Sequence, residues 1–180
     1  MTETSRITDW KLSQLGDLTG RRYLITGANS GIGYAAAEHL RHANADVFIA
    51  CRSASKGAEA TATLTQLGGT GAVHLIQLDL ASTDSIRQAN DAIRGLTDGL
   101  DGVINNAGIM APPQQLTVDG FELQFGTNHL GHFLLDHLVF DLVQARSGRI
   151  VPVSSMAHRQ SPGINFDDDH AHLKFLSSAH

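Results

Sequence analysis

The sequence has a single cysteine, Cys51, in 180 residues. That excludes an intrachain disulfide and a cysteine-based zinc site. Positive charge is also scarce. Thirteen Lys and Arg stand against 18 Asp and Glu, a formal charge of −5 with histidine neutral. A nucleic-acid binder normally presents the opposite field, so no nucleic-acid partner is expected. No apolar run approaches the roughly 18–20 residues that cross a bilayer. The first residues carry Glu3 and Asp9 and lack the apolar stretch of a signal peptide. There is no Gly-Lys-Ser/Thr phosphate loop and no Gly-x-Ser-x-Gly elbow. What is present suits a packed core: 42% of residues are apolar and 17% charged. The expectation is a soluble, cytoplasmic α/β protein with one domain at residues 19–166. An N-terminal arm (1–18) precedes it and an irregular tail (167–180) follows.

Short apolar runs alternate with longer helical patterns. Residues 22–26, 47–50, 73–78, 103–105 and 150–153 read as strands, most of them continuous aliphatic runs of the kind buried on both faces of a parallel sheet. Ile32, Ala36 and Leu40 recur at helical spacing between the first two. Residues 55–67 are Ala-rich and stop at Gly68-Gly69, a helix-ending signal. Thr83-Asp84-Ser85 is a candidate cap for a helix running towards Gly95. The longest helical pattern spans 121–143, with Leu130, Phe133, Leu134, Leu138 and Leu142 on or near one stripe. The order βαβαβαβαβ predicts a doubly wound, Rossmann-like parallel sheet of about five strands in the order 3-2-1-4-5.

The first strand runs straight into Thr26-Gly27-Ala28-Asn29-Ser30-Gly31-Ile32-Gly33, and a helix follows. Glycines at 27, 31 and 33 permit a tight turn and let a pyrophosphate approach a helix N-terminus. This Thr-Gly-x-x-x-Gly-x-Gly pattern resembles the short-chain dehydrogenase/reductase family. An acid about 20 residues further on would suit a ribose 2′-hydroxyl. Here Arg52 stands 19 residues past Gly33, and a guanidinium suits a 2′-phosphate, so NADP(H) is expected as cofactor. Three further segments carry the resemblance: Asp79-Leu80 after strand three, Asn106-Ala107-Gly108 after strand four, and Asn128-His129-Leu130-Gly131-His132-Phe133 in the long helix. The wording Ala-Cys-Arg-Ser, Asn-His-Leu-Gly-His-Phe and Val-Ser-Ser-x-Ala-His is similar to the retinol-dehydrogenase-like branch. The resemblance implies a cofactor set of Gly27, Asn29, Ser30, Gly31, Ile32, Gly33, Arg52, Asp79, Leu80, Asn106, Ala107 and Gly108.

It also implies hydride transfer between nicotinamide and a small apolar carbonyl or alcohol, served by four residues. Asn128 matches the helix Asn that holds a relay water. Ser155, after strand five, matches the Ser that bonds the substrate oxygen. The Tyr and the Lys four residues beyond it have no match: the tyrosines are Tyr23 and Tyr34, both far upstream of Ser155, and Lys174 has His170 four places before it. The Lys matters because a free phenol, with a pKa near ~10, is a poor base at neutral pH. In relatives the Tyr follows the Ser by roughly a dozen to 25 residues, and the sequence ends at His180, 25 residues after Ser155. The expectation is therefore a truncated member, lacking the family's C-terminal helix and strands and turning over little or nothing alone. Two alternatives stand beside it: a non-catalytic nucleotide-binding module, and half of a split enzyme that needs a partner chain. Relatives' assembly as dimers or tetramers makes a homo-oligomer one option, and the oligomeric state stays open. The histidine pairs His39/His42 and His129/His132 lack a third ligand, so no metal site is expected.

Overall fold

The computed structural model describes residues 10–160. The expected tail (167–180), the first half of the arm and the end of the expected domain lie outside the described residues.

Five strands form one sheet: β1 (Arg22–Thr26), β2 (Asp46–Cys51), β3 (Val73–Gln77), β4 (Gly102–Asn105) and β5 (Arg149–Pro152). Their order is β3-β2-β1-β4-β5 and every pairing is parallel, as the alternating pattern predicts. Helices α1 (Gly31–His42), α2 (Ala54–Gln66) and α3 (Thr83–Leu96) cross between them. Short 3-10 turns lie at Leu12–Gln14 and Met156–Gln160.

Both faces of the sheet are covered, and successive strand residues divide between two cores. Leu24, Phe48, Ala50, Ile76 and Val103 pack with Ile86, Ile93, Leu135 and Val139 from α3 and the last helix. Ile25, Val47 and Ile49 pack with Ala37, Leu40, Ala60 and Leu64 from α1 and α2. This division is why the strands read as unbroken apolar runs. Among the described residues β5 pairs with β4 alone. Pro152 sits at that edge, where a missing N–H is tolerated.

Two helix details depart from expectation. The α3 cap is Ser82, whose hydroxyl accepts the Ser85 N–H at 3.3 Å. Thr83 turns outward, its N–H and hydroxyl both donating to Asp119 at 2.9 Å. The pattern read as one helix over 121–143 is three pieces: a turn α4 (Leu123–Phe125), a π-helical turn (Gly126–Leu130) and α5 (Gly131–Ala145). The Gly131 N–H reaches back to the Gly126 carbonyl, the wider spacing that defines a π turn. Close packing accompanies it. A Cβ on Gly131 would lie 2.3 Å from the Leu80 carbonyl oxygen.

At the N-terminal ends of the strands, Asp101 ties three elements together. Its carboxylate accepts from Arg21 Nη1 at 2.7 Å, Arg146 Nε at 2.8 Å and the Arg22 N–H at 2.9 Å. Burial pushes this carboxyl up, but Arg21, the Arg22 N–H and Arg146 outweigh it and hold it below its ordinary value.

Candidate functional site

The strand order reverses between β1 and β4, and ligands of open α/β sheets bind beyond the strand C-termini at such a point. The turn from β1 into α1 is pressed against the end of β4 there. Gly27 (φ 65°) and Gly31 (φ 58°) adopt left-handed backbone, which glycine enters without penalty. A Cβ on Gly27 would stand 2.9 Å from Ala107 Cα, and one on Gly33 would stand 2.4 Å from Asn106 Nδ2. The approach is fastened by hydrogen bonds. The buried Thr26 hydroxyl accepts the Asn106 N–H at 3.0 Å and the Ala107 N–H at 2.9 Å. Asn106 Nδ2 donates to the Thr26 carbonyl at 2.9 Å.

These contacts shape a cleft of about 330 Å³. Thr26, Gly27, Asn29 and Ser30 line it from the β1 turn. Cys51 and Arg52 line it from the end of β2, Leu78, Asp79 and Leu80 from the end of β3, and Asn106, Ala107, Gly108 and Ile109 from the end of β4. Thr127 closes it from the π turn. Nine of the expected cofactor residues therefore meet at one cleft. Gly31 and Gly33 shape the turn behind it, and Ile32 stands 75% exposed, away from the lining. Arg52 is exposed, and among the described residues it has no ion pair. The Asp79 carboxylate accepts the Ala81 N–H at 3.0 Å.

A second groove of about 400 Å³ shares Asn106, Ala107 and Gly108 as a wall. Asn128 and Ser155 both line it, along with His129, His132, Phe133, Asp136 and Ser154. The Asn128 amide braces the loop after β4: its Oδ1 accepts the Ile109 N–H at 2.9 Å and its Nδ2 donates to the Ile109 carbonyl at 2.8 Å. Its backbone carbonyl meets His132 Nδ1 at 2.9 Å. Asn105 Nδ2 donates to Asp136 at 2.8 Å. Burial pushes the Asp136 carboxyl above its ordinary value, and the Asn105 bond only partly opposes this. Tyr23 sits at the opposite end of the sheet, beside Gly102, and Tyr34 packs with the α1 core. Among the described residues no tyrosine lines either cavity. Lys174 lies outside the described residues.

Two residues central to this geometry lie inside the motifs, but no site role was expected of either. Thr26 reads as the last residue of a strand and the first of the glycine pattern. His132 reads as a helix histidine, yet it is buried and bridges Thr26 and Asn128.

Comparison with known proteins agrees with this architecture. The family model for short chain dehydrogenases matches residues 21–165. Retinol dehydrogenase 11 of Homo sapiens is 42% identical over 142 residues, covering 78% of this chain and 45% of that protein. Retinol dehydrogenase 14 of Homo sapiens is 41% identical over 167 residues, covering 85% and 49%. The chain thus spans about half the length of the curated relatives it matches. Among solved structures, an uncharacterized protein from Mycobacterium paratuberculosis superposes with a TM-score of 0.76 at 43% identity, covering 92% of this chain and 57% of that one. RhlG of Pseudomonas aeruginosa, solved with NADP in its active site, superposes with a TM-score of 0.68 at 28% identity, covering 83% and 58%.

Proposed function

We propose, from the premise that the chain belongs to the short-chain dehydrogenase family, that it binds NADP(H) and serves oxidoreduction of a small apolar carbonyl or alcohol. One observation carries this: the glycine turn is clamped to the end of β4 so that a cleft opens at the sheet's reversal point, with the exposed Arg52 at its rim. The residues fit the dinucleotide. A pyrophosphate needs backbone N–H groups with no Cβ in the way, and Gly27, Asn29, Ser30, Gly31, Ile32 and Gly33 supply that turn at the start of α1. Arg52, free of ion pairs among the described residues, would take a 2′-phosphate. Asp79 and Leu80 would flank the adenine, and Asn106, Ala107 and Gly108 the nicotinamide side. The cofactor, when bound, supplies the hydride chemistry.

Ser155 would donate a hydrogen bond to the substrate oxygen. Asn128, whose amide is engaged with Ile109, would hold a relay water only through its backbone carbonyl, which His132 also contacts. The family's Tyr-x-x-x-Lys has no counterpart in these 180 residues. General acid–base catalysis is worth roughly 10²–10⁴ in rate, so binding without family-like turnover is expected. The relatives' name, retinol dehydrogenase, supports an apolar alcohol as the substrate class.

Fluorescence titration tests the cofactor assignment. NADPH should bind more tightly than NADH, and Arg52→Asp should reverse the order. The charge-assisted bonds involved are worth about 1.5–3 kcal/mol, or about 10- to 100-fold in affinity. Equal affinities refute it. NADPH oxidation with a panel of aldehydes at family-like rates would refute the expectation of weak turnover.

A further inference from the structure

His132 makes an unusual connection. It is 6% exposed, lies on α5, and bonds to a residue 106 positions away in β1. Its Nδ1 stands 2.9 Å from the Asn128 carbonyl oxygen and its Nε2 stands 2.9 Å from Thr26 Oγ1. Counting protons and lone pairs assigns the bonds. A backbone carbonyl can only accept, so Nδ1 carries a hydrogen. A hydroxyl oxygen has two lone pairs, and Thr26 Oγ1 uses both on the Asn106 and Ala107 N–H groups. Its own proton must therefore point elsewhere. His132 Nε2 lies at 2.9 Å, and the alternative, the Ile104 carbonyl, at 3.5 Å. Thr26 donates to a bare Nε2, and the imidazole is the neutral Nδ1–H tautomer.

We propose that His132 is an acid-sensitive positioning residue for the nucleotide turn. Its neutral Nδ1–H form locks Thr26 onto the end of β4 and holds the π turn with Asn128 against it, and a second proton releases the lock. A hydrogen on Nε2 would meet an oxygen with no lone pair left, so one of the three Thr26 bonds must break. Burial favours the neutral ring, against the opposing pulls of the Asn128 carbonyl and Asp136. The titratable groups around it are Asp136 and His129, both on its own helical segment. β1 presents Thr26, the end of β4 presents Asn105, Asn106 and Ala107, and the end of β5 presents Ser154 and Ser155. None of these titrates in the relevant range. The consequence for nucleotide binding rests on the function proposed above; the lock itself does not.

The experiment uses the uniformly ¹⁵N-labelled 180-residue chain. Imidazole correlation spectra at pH 7.5 should show His132 neutral and protonated on Nδ1. An Nε2–H tautomer or an imidazolium overturns the proposal. Exchange protection of the Asn106 and Ala107 amides should then fall by up to tenfold per pH unit below about 6.5. Protection of the Ile49 amide, deep in β2, should hold. Unchanged protection at Asn106 and Ala107, or equal loss at Ile49, overturns it. His132→Phe should show low protection at both amides at every pH. If that variant does not fold, the wild-type measurements decide alone. NADH titration from pH 7.5 to 5.5 follows the same opening without interference from a 2′-phosphate. If the amides open as expected but no dinucleotide binds at any pH, the nucleotide assignment fails and the lock stands.

Discussion

Replacing Thr26 by Val separates the hydroxyl from everything else the residue does. The two side chains have nearly the same volume, and Val suits a strand at least as well as Thr. The structure nonetheless predicts a large loss. Thr26 is fully buried, so no water can take the place of its hydroxyl. Removal leaves the Ala107 N–H without an acceptor and His132 Nε2 without a donor, while the Asn106 N–H keeps the Ile104 carbonyl at 3.0 Å. An orphaned buried polar group costs about 1–3 kcal/mol. Two of them, allowing for partial relaxation, give about 2–4 kcal/mol. Thr26→Ser keeps the hydroxyl and loses one buried methyl, worth about 1 kcal/mol. Urea unfolding followed by circular dichroism measures both. At a common slope of about 1–3 kcal/mol per molar urea, Val should lower the midpoint about two to four times as far as Ser. Tight-turn geometry should suffer in parallel, so Thr26→Val weakens NADPH binding more than Thr26→Ser. A Val variant as stable as wild type, or less damaging than Ser, refutes the reasoning. The turn would then be held by backbone packing alone.

Two further substitutions follow from the same neighbourhood, and a third, in α3, serves as their control. Burial raises the Asp136 carboxyl, so the fold favours its protonated form. That contribution is fully present below the unfolded-state value near 3.8 and is lost as pH rises through the folded value. At pH 7 the wild type has therefore lost that contribution, and Asp136→Asn should be the more stable protein there, with the gain vanishing below about pH 4. Urea midpoints at the two pH values check this, and a variant less stable at pH 7 contradicts it. Gly33→Ala would force a Cβ to within 2.7 Å of the Gly27 carbonyl oxygen. It should cost about 1–3 kcal/mol and weaken NADPH binding. Gly95→Ala, in α3 with open space around its Cβ, should instead stabilise by about 0.5–1 kcal/mol. Equal thermal shifts for the two variants would contradict the packing of the turn.

The sheet order and the glycine turn were legible because both are written locally. Glycine is the residue a left-handed turn demands, and it appears at 27 and 31 where the backbone turns that way. Unbroken aliphatic runs mark strands buried on both faces, and their alternation with helices leaves few topologies. The π turn was not legible. The stripe from Leu130 to Leu142 begins only at its last residue, and the wider turn shows only in the Gly131–Gly126 backbone bond and the contact of Gly131 with Leu80. The Ser82 cap was misplaced by one residue because Thr83 is an equally good capping residue by type. Its diversion to Asp119 is a contact 36 residues distant.

The proposed cofactor residues and the two residues matched to the catalytic set differ in the same way. Gly27, Arg52, Asp79 and Asn106 each stand just after a strand, and topology alone carries strand ends to one place. Asn128 and Ser155 reach their groove by another route, through a helix whose phase depends on the π turn and a loop beyond an edge strand. Their relative position is set by contacts across the sequence, above all by His132 bridging Thr26 and the Asn128 carbonyl. A local pattern can therefore name the groups that would touch the nucleotide. It cannot show what holds the turn rigid, because the rigidity comes from one threonine oxygen shared by β1, β4 and α5.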